Sequence, residues 1–455
     1  MKKYFGPWSF YSQALTIALP IMMQQFIMSM VSLIDNFMVA GLGDVSMAAV
    51  NVTNHLIFVY IVILNTICMA GGIYITQFRG AGDSEGVKQA FRFKVIFAVT
   101  VAFFVFALSK TFSSQMIAMM TMKNTAQKEI VAEGAKYIRL LAWAFVPMAI
   151  SYSIGTSFRE IARPKVPLCI SAIATLINTL GNWILIYGNL GAPRLEVTGA
   201  AYATIIARSF EVITFLIYAS LVKAPFFVDI RKLFHVHWQL FREILFKSAM
   251  IFVSEISWAS SETIMVAMYN RRGGAEVVAG MAAGWSIANI FFLVFGGSWA
   301  TAGILVGGAL GAGKLDDARR RAGWLKSGFV TAALIVALPG AFLSALIIPF
   351  VFSNLSAAAR ANCLGLVLVI LFYLPIWGLL NIQFAISRAG GDTAMGMYID
   401  LSVNSLLFIP GAVILSFFTS MAPVPMFALL KLSDIVKVFM CRYFLKKERW
   451  VKNLS

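Results

Sequence analysis

Charge is scarce in this sequence, and negative charge is scarcer still. Only 13% of its 455 residues are Asp, Glu, Lys or Arg, about half the roughly 25% that a water-facing domain carries. A soluble globular protein is thereby excluded. Histidine occurs three times and cysteine four times. There is no HExxH, no paired cysteine spacing and no GxxxxGK[ST] loop, so the sequence offers neither a zinc enzyme nor an attached ATPase. Cys68, Cys169, Cys363 and Cys441 stand alone inside apolar stretches and are expected to be packing thiols. With no catalytic cluster in view, the chain does not read as an enzyme.

What fills the space is apolar. Residues of the hydrophobic types make up 60% of the chain, and mean hydropathy is +0.82. Uncharged windows run Tyr4 to Ile34, Val45 to Phe78, Val166 to Pro193, Val277 to Gly313, Ser327 to Ala359, Ala361 to Ser387 and Leu401 to Leu430. About 20 apolar residues suffice to cross a bilayer as a helix. The pattern predicts an all-α polytopic membrane protein of twelve spans, near 9–40, 47–78, 93–115, 132–158, 165–188, 198–222, 248–270, 278–311, 324–350, 362–387, 394–417 and 423–442.

The net charge of +17 raises nucleic acid as a partner, but its distribution argues against that. Basic residues cluster between spans, at Arg79, Lys88, Arg92 and Lys94; at Arg159, Arg163 and Lys165; at Lys314 to Lys326; and from Arg442 onward. Loops on the cytoplasmic side gather Lys and Arg, so the excess reports orientation, with both termini inside. The Met1-Lys2-Lys3 start resembles a signal peptide, but the apolar run after it is too long and lacks a cleavage site. It reads as an uncleaved first helix. Residues 1–222 are expected to form one lobe and 248–455 the other. Between them, 223–247 mixes Phe, Leu and Trp with Arg and Lys, which suggests a cytoplasmic helix lying in the interface. His235 and His237 sit there without the further ligands that a metal requires.

The two halves repeat each other. GIYITQFRGAGDSEGVKQA after the second span answers GILVGGALGAGKLDDARRR after the eighth; Gly72, Ile73, Gly80, Ala81 and Gly82 recur at Gly303, Ile304, Gly311, Ala312 and Gly313. DNFMVA at Asp35 matches ETIMVA at Glu262, Pro147 answers Pro375, and Arg159 answers Arg388. Three registered stretches predict a duplicated six-helix unit, and transporters place their sites near mid-membrane where such repeats meet.

Ionisable groups inside the hydrocarbon are costly and mark function. Asp35 follows an uncharged run, and Gln24, Gln25, Ser32 and Asn36 recur with it at helical spacing. Such a carboxyl can alternate between a protonated state and a cation-bound or ionised one. Glu255 and Glu262 lie two turns apart, with Ser248 and Trp258 near the same face, and two like charges on one stripe resist simultaneous ionisation. Arg208 with Glu211, and Asp434 with Lys431 and Lys437, read as structural pairs at helical spacing. Asp400 is expected in the cytoplasmic half. LINTLGNW sets Asn178 and Asn182 on one face near Thr204 of GAAYAT, and amide and hydroxyl oxygens suit hard cations.

These stretches carry a resemblance. ALPIMMQQFIMSMVSLIDNFMVAGLGDVSMAAV, ITQFRGAGD, GNWILIYG with TGAAYAT, and SEISW resemble the corresponding segments of the multidrug and toxic compound extrusion (MATE) transporters. That family lies within the multidrug/oligosaccharidyl-lipid/polysaccharide flippase superfamily. The resemblance spans essentially the whole chain. It implies twelve helices in two pseudo-symmetric lobes around a central cavity. It also implies a Na⁺- or H⁺-coupled antiporter that exports amphipathic, often cationic, organic compounds by alternating access. On that basis Asp35 takes the place of the ion-coupling Asp, Pro20 that of a hinge, and Asn178 and Thr204 those of polar ligands, giving a Na⁺ site at Asp35, Asn178 and Thr204. Glu255 matches a seventh-helix Glu. Asn182 stands where some members carry a second Asp, and Asn381 and Gln383 stand where others carry a tenth-helix Asp, so the coupling ion is open. The expected partners are small organic substrates, a monovalent cation or proton and membrane lipids, with no cofactor and no nucleic acid. The expected state is a monomer in the inner (plasma) membrane. The rival reading is a flippase for lipid-linked saccharide precursors, whose pyrophosphate would call for more intramembrane Arg and Lys.

Overall fold

Inside hydrocarbon no water can satisfy a backbone N–H or C=O, so apolar segments must close their hydrogen bonds internally as helices. The computed structural model describes residues 5–121 and 126–455, and these form helices with no strand. The basic start at Met1 to Lys3 lies outside the described residues. The principal helices are α1 (Trp8–Ala40), α2 (Asp44–Ala81), α3 (Ser84–Thr111), α4 (Gln127–Glu160), α5 (Lys165–Tyr187) and α6 (Val197–Leu221). They continue as α7 (Trp238–Asn270), α8 (Ala275–Gly311), α9 (Leu315–Val351), α10 (Ala357–Ala389), α11 (Ala394–Phe418), α12 (Pro423–Leu430) and α13 (Leu432–Lys446). Among the described residues, ten are long and apolar enough to cross a membrane. The remainder are α7, which carries Arg242, Glu243, Lys247, Glu255 and Glu262, and the α12–α13 pair, which is interrupted at Lys431.

Large apolar side chains are left exposed along whole helix faces. On α5, Ile173, Leu176, Leu180 and Trp183 form one such face, and Cys169 continues it. The expectation of four packed thiols therefore holds for Cys68, Cys363 and Cys441 but not for Cys169, which is exposed. A thiol on a lipid-facing stripe has no need of burial, because lipid tails are as apolar as the core.

The chain divides into two compact units. One comprises residues 1–22, 76–82 and 246–455; the other comprises 23–75 and 83–245. The first is built around Leu305, Val306, Leu310, Ile382, Ile386 and Ile399, with Ile17 and Ile21 from the start of α1. The second has a core that includes Val50, Leu141, Ile186 and Ala201. The division falls within α1, two residues after Pro20, and within α2, rather than only in loops.

The repeated glycines have a structural cause. Gly82 (φ 77°) and Gly313 (φ 72°) end their helices in the left-handed region, where a Cβ is strained. Gly80 faces the backbone of Gly308, and Gly311 faces that of Gln77; a Cβ would lie 2.1 Å and 1.9 Å from the respective carbonyl oxygens. The ends of α2 and α8 thus meet backbone to backbone. After Gly82, Asp83 caps α3 by accepting from the N–H groups of Glu85 (3.1 Å) and Gly86 (2.9 Å).

The segment before α7 differs from expectation. Instead of an interfacial helix over 223–247, residues 223–237 carry one short 3-10 helix, Ile230–Lys232, and Trp238 onward is already α7. Pro225 has no N–H to give to a helix, and Lys223 has a positive φ. Side-chain bonds hold the segment instead: Gln89 donates to the His235 carbonyl (3.1 Å) and accepts from the His237 N–H (3.0 Å). At the far end of the chain, Trp450 is buried, and the Leu454 N–H donates to Gln77 Oε1 at 2.9 Å.

Candidate functional site

The second unit gathers the polar residues of α1, α5 and α6. Gly181 lets α6 approach α5 so closely that a Cβ there would lie 2.9 Å from the Ala203 Cβ. This contact brings Asn178 and Asn182, one turn apart on α5, beside Thr204 on α6. Asn182 Nδ2 donates to Asp35 Oδ1 at 2.8 Å. The neighbours of Asn178 set its amide orientation. With nitrogen toward α1 it donates to Asp35 Oδ2 at 3.0 Å, and its oxygen accepts from Thr204 N–H (3.3 Å) and Oγ1 (3.2 Å). Four of the residues singled out in the sequence therefore form one cluster around a single carboxylate. The buried Asn182 Oδ1 has no hydrogen-bond partner. An acceptor without a donor in a buried site is a place for a cation or a proton donor. Among the described residues no group of three or more His, Cys, Asp or Glu is placed to hold a metal ion.

Gln24 takes a different place from Asp35 although both lie on α1. Its Nε2 donates to Ser171 Oγ (2.9 Å), and its Oε1 accepts from Arg159 Nη2 (2.7 Å). Ser171 Oγ donates to Glu211 Oε1 (2.7 Å), while Arg208 Nη1 (2.8 Å) and Ser151 Oγ (3.3 Å) donate to Oε2. These six residues line a cavity of about 110 Å³, walled also by Met28, Ile61, Met148, Tyr152 and Phe215. Arg208 and Glu211 form the expected pair, and the structure adds that the pair faces a cavity. Gln25 is exposed and Asn36 half-buried, and neither is hydrogen-bonded to the Asp35 cluster.

The second unit also holds an ion pair that charge patterning alone did not reveal. Lys94, grouped with the loop cations by sequence, is completely buried, with its Nζ 2.8 Å from Glu160 Oε2 and 2.9 Å from Ser157 Oγ. Glu160 follows Arg159 on α4, so the Arg159 guanidinium does not have that carboxylate to itself.

In the first unit the α7 candidates are charge-compensated. Glu255 pairs with Arg388 of α10 at 3.0 Å, and the Arg388 guanidinium lies 4.5 Å over the Trp299 ring. Glu262 pairs with Lys431. Asp400 accepts from Lys437 at 2.9 Å and from Ser254, and Asp434 accepts from Trp377 Nε1 at 2.8 Å. The two α7 carboxylates therefore face cations rather than each other. Sequence spacing within α7 could not show this, since both partners lie more than 100 residues away along the chain. Ser248 is buried on the same helix.

Comparison with known proteins follows the same outline. The chain is 25% identical over 428 residues to a protein of Bradyrhizobium diazoefficiens named "Probable multidrug resistance protein NorM", covering 91% of this chain and 88% of that protein. A protein of the same name from Halalkalibacterium halodurans is 25% identical over 329 residues, covering 71% and 69%. Among solved structures, a MATE protein in complex with MaD3S superposes with a TM-score of 0.84 at 16% identity over 96% of this chain and 95% of that one. A MOP superfamily transporter from Pyrococcus furiosus gives 0.82 at 16% identity, over 96% and 95%. At that identity the structures show a shared fold. The family model described as MatE matches twice, over residues 20–184 and 251–414. Each match covers one copy of the repeat, from Pro20 past Asn182 and from Ile251 through α10 into α11, and the chain accordingly belongs to the MatE family of transporters.

Proposed function

We propose that this chain is a cation-coupled antiporter, driven by Na⁺ or H⁺, that exports amphipathic organic compounds by alternating access. The observation that carries the reading is the Asp35 cluster. One carboxylate in an apolar helix is held by two amides, and a buried amide oxygen beside it lacks a donor. A proton or a monovalent cation entering there supplies the missing positive charge. The names of its relatives, multidrug resistance proteins, support small organic compounds as cargo. Pro20 supports the conformational half of the cycle. It lacks the N–H that would bond to the Thr16 carbonyl, and the compact units divide two residues beyond it. Coupling requires only that the ion and the substrate prefer different states. On this reading the protein works as a monomer in the inner membrane with both termini cytoplasmic.

The test is dye efflux from cells expressing the chain, with Na⁺ and pH gradients imposed separately. Export should follow one gradient and be lost in Asp35→Asn. Undiminished gradient-driven export by that variant would remove Asp35 from the mechanism.

A further inference from the structure

We propose that the cavity of the second unit anchors the acidic end of an amphipathic substrate, with Arg159 as the recognising residue. The inference deepens the export reading and rests on it: it names the chemical class of the cargo as carboxylic acids and zwitterions rather than purely cationic compounds.

The cavity is lined by two guanidinium groups, Arg159 and Arg208, and one carboxylate, Glu211. Glu211 already accepts from Ser171 on one oxygen and from Arg208 and Ser151 on the other. Glu160, next to Arg159 in sequence, is paired with Lys94. Arg159 is left with a neutral partner, Gln24, and its Nε is buried with no hydrogen-bond partner. A guanidinium in a membrane protein interior is costly unless an anion meets it, and its planar fork suits a carboxylate.

The repeat supplies an internal control. Arg388 is the counterpart of Arg159, and it has its anion in Glu255. In the register that matches Asp35 with Glu262, the counterpart of Glu255 is Met28. Met28 lines the cavity. Where one half of the chain carries a carboxylate for its arginine, the other carries an apolar side chain and open space. Met28, Ile61, Met148 and Phe215 then offer a surface to the apolar body of a ligand, and Met adapts readily to varied shapes. At about 110 Å³ the cavity is smaller than the roughly 300–1,000 Å³ that encloses a drug-sized molecule, so it takes one end of the substrate.

Rhodamine B, a zwitterion, and its ethyl ester, a cation of nearly the same shape, form the test pair. Their binding to the purified full-length protein in detergent is read by fluorescence anisotropy. The acid should bind about tenfold or more tightly than the ester, as a charge-assisted hydrogen bond predicts. Arg159→Gln should erase the difference. Met28→Glu, at a position that is 41% exposed and tolerant of a polar side chain, should reverse it by supplying the missing anion. Equal binding of the two dyes by the wild type overturns the proposal, as does binding of neither or an acid preference that survives both substitutions. Gradient-driven export of both dyes without preference sinks the anchor and leaves the transport reading standing. Acid-selective binding without gradient-driven export does the reverse.

Discussion

Asn182 donates its amide N–H to Asp35 at 2.8 Å while its own oxygen stays buried without a partner. Both facts follow from one side chain, and together they make position 182 the most informative one to change. Asn182→Asp keeps the shape and adds a second carboxylate beside the first. Two like charges held together favour a bound cation or a shared proton. Dye efflux should then begin at lower Na⁺ or at higher pH, by about tenfold in concentration. Asn182→Leu, which removes both the donor and the acceptor, should lower efflux several-fold at every gradient.

Pro20 lies inside a continuous helix of 33 residues. Restoring its N–H with Pro20→Ala should stiffen α1, since an interior proline costs a helix about 3 kcal/mol. The expected result is a raised thermal midpoint in detergent with a several-fold slower efflux. Unchanged efflux at a raised midpoint would show that bending at this point does not limit the cycle.

Gly311 faces the Gln77 carbonyl so closely that a Cβ would lie 1.9 Å from its oxygen. The neighbour is backbone and cannot move aside cheaply. Gly311→Ala should cost at least the 1–3 kcal/mol typical of overpacking, seen as a lowered thermal midpoint and reduced yield of monodisperse protein. Gly323→Ala, where a Cβ meets nothing within 4 Å, is the matched control and should leave both readouts unchanged.

The Lys94–Glu160 pair is buried at 2.8 Å with Lys94 completely inaccessible. Removing the Glu160 carboxylate strands the buried Lys94 charge, and losses of about 3–5 kcal/mol are typical of such sites. Lys94→Met and Glu160→Gln should each reduce folded protein sharply. The double variant should recover part of the loss, and a strictly additive double variant would mean that the two charges are not coupled.

Asp392 sits in the turn between α10 and α11, outside the spans, and its Oδ1 accepts from the Met395 N–H at 3.3 Å. Burial pushes its carboxyl above the usual carboxylate range, against the opposing pull of that N–H, Arg449 and Lys247. A carboxyl raised in the folded state holds its proton more firmly folded than unfolded. It therefore favours folding as pH falls through the folded value, and that contribution is lost above it. Asp392→Asn retains the acceptor and removes the titration. Its thermal midpoint should equal or exceed that of the wild type near neutral pH, and the rise of the midpoint on mild acidification should shrink.

Hydropathy and the rarity of charge carried most of the fold. Long uncharged windows can only be helices in hydrocarbon, and the registered GAG motifs disclose the duplication without reference to any contact. Polar spacing on α1, α5 and α6 likewise marked Asp35, Asn178, Asn182 and Thr204, because each falls on one face of its own helix. Periodicity within a helix is a local property, and a sequence displays it directly.

Partnership between helices is not local. Nothing in the spacing of Glu255 and Glu262 announces Arg388 or Lys431. Lys94 reads by position as a loop cation, yet Glu160 lies against it. Gln24 and Asp35 share a face of α1, yet one belongs to a cavity with Arg159 and Glu211 and the other to the amides of α5. The sequence by itself determined that this is a duplicated helical membrane protein with a few expensive polar groups. Which of those groups are neutralised, and which are left open to a ligand or an ion, was decided only by tertiary packing. The reason is physical: the cost of a buried charge depends on what lies within a few ångströms of it, and those neighbours are far away along the chain.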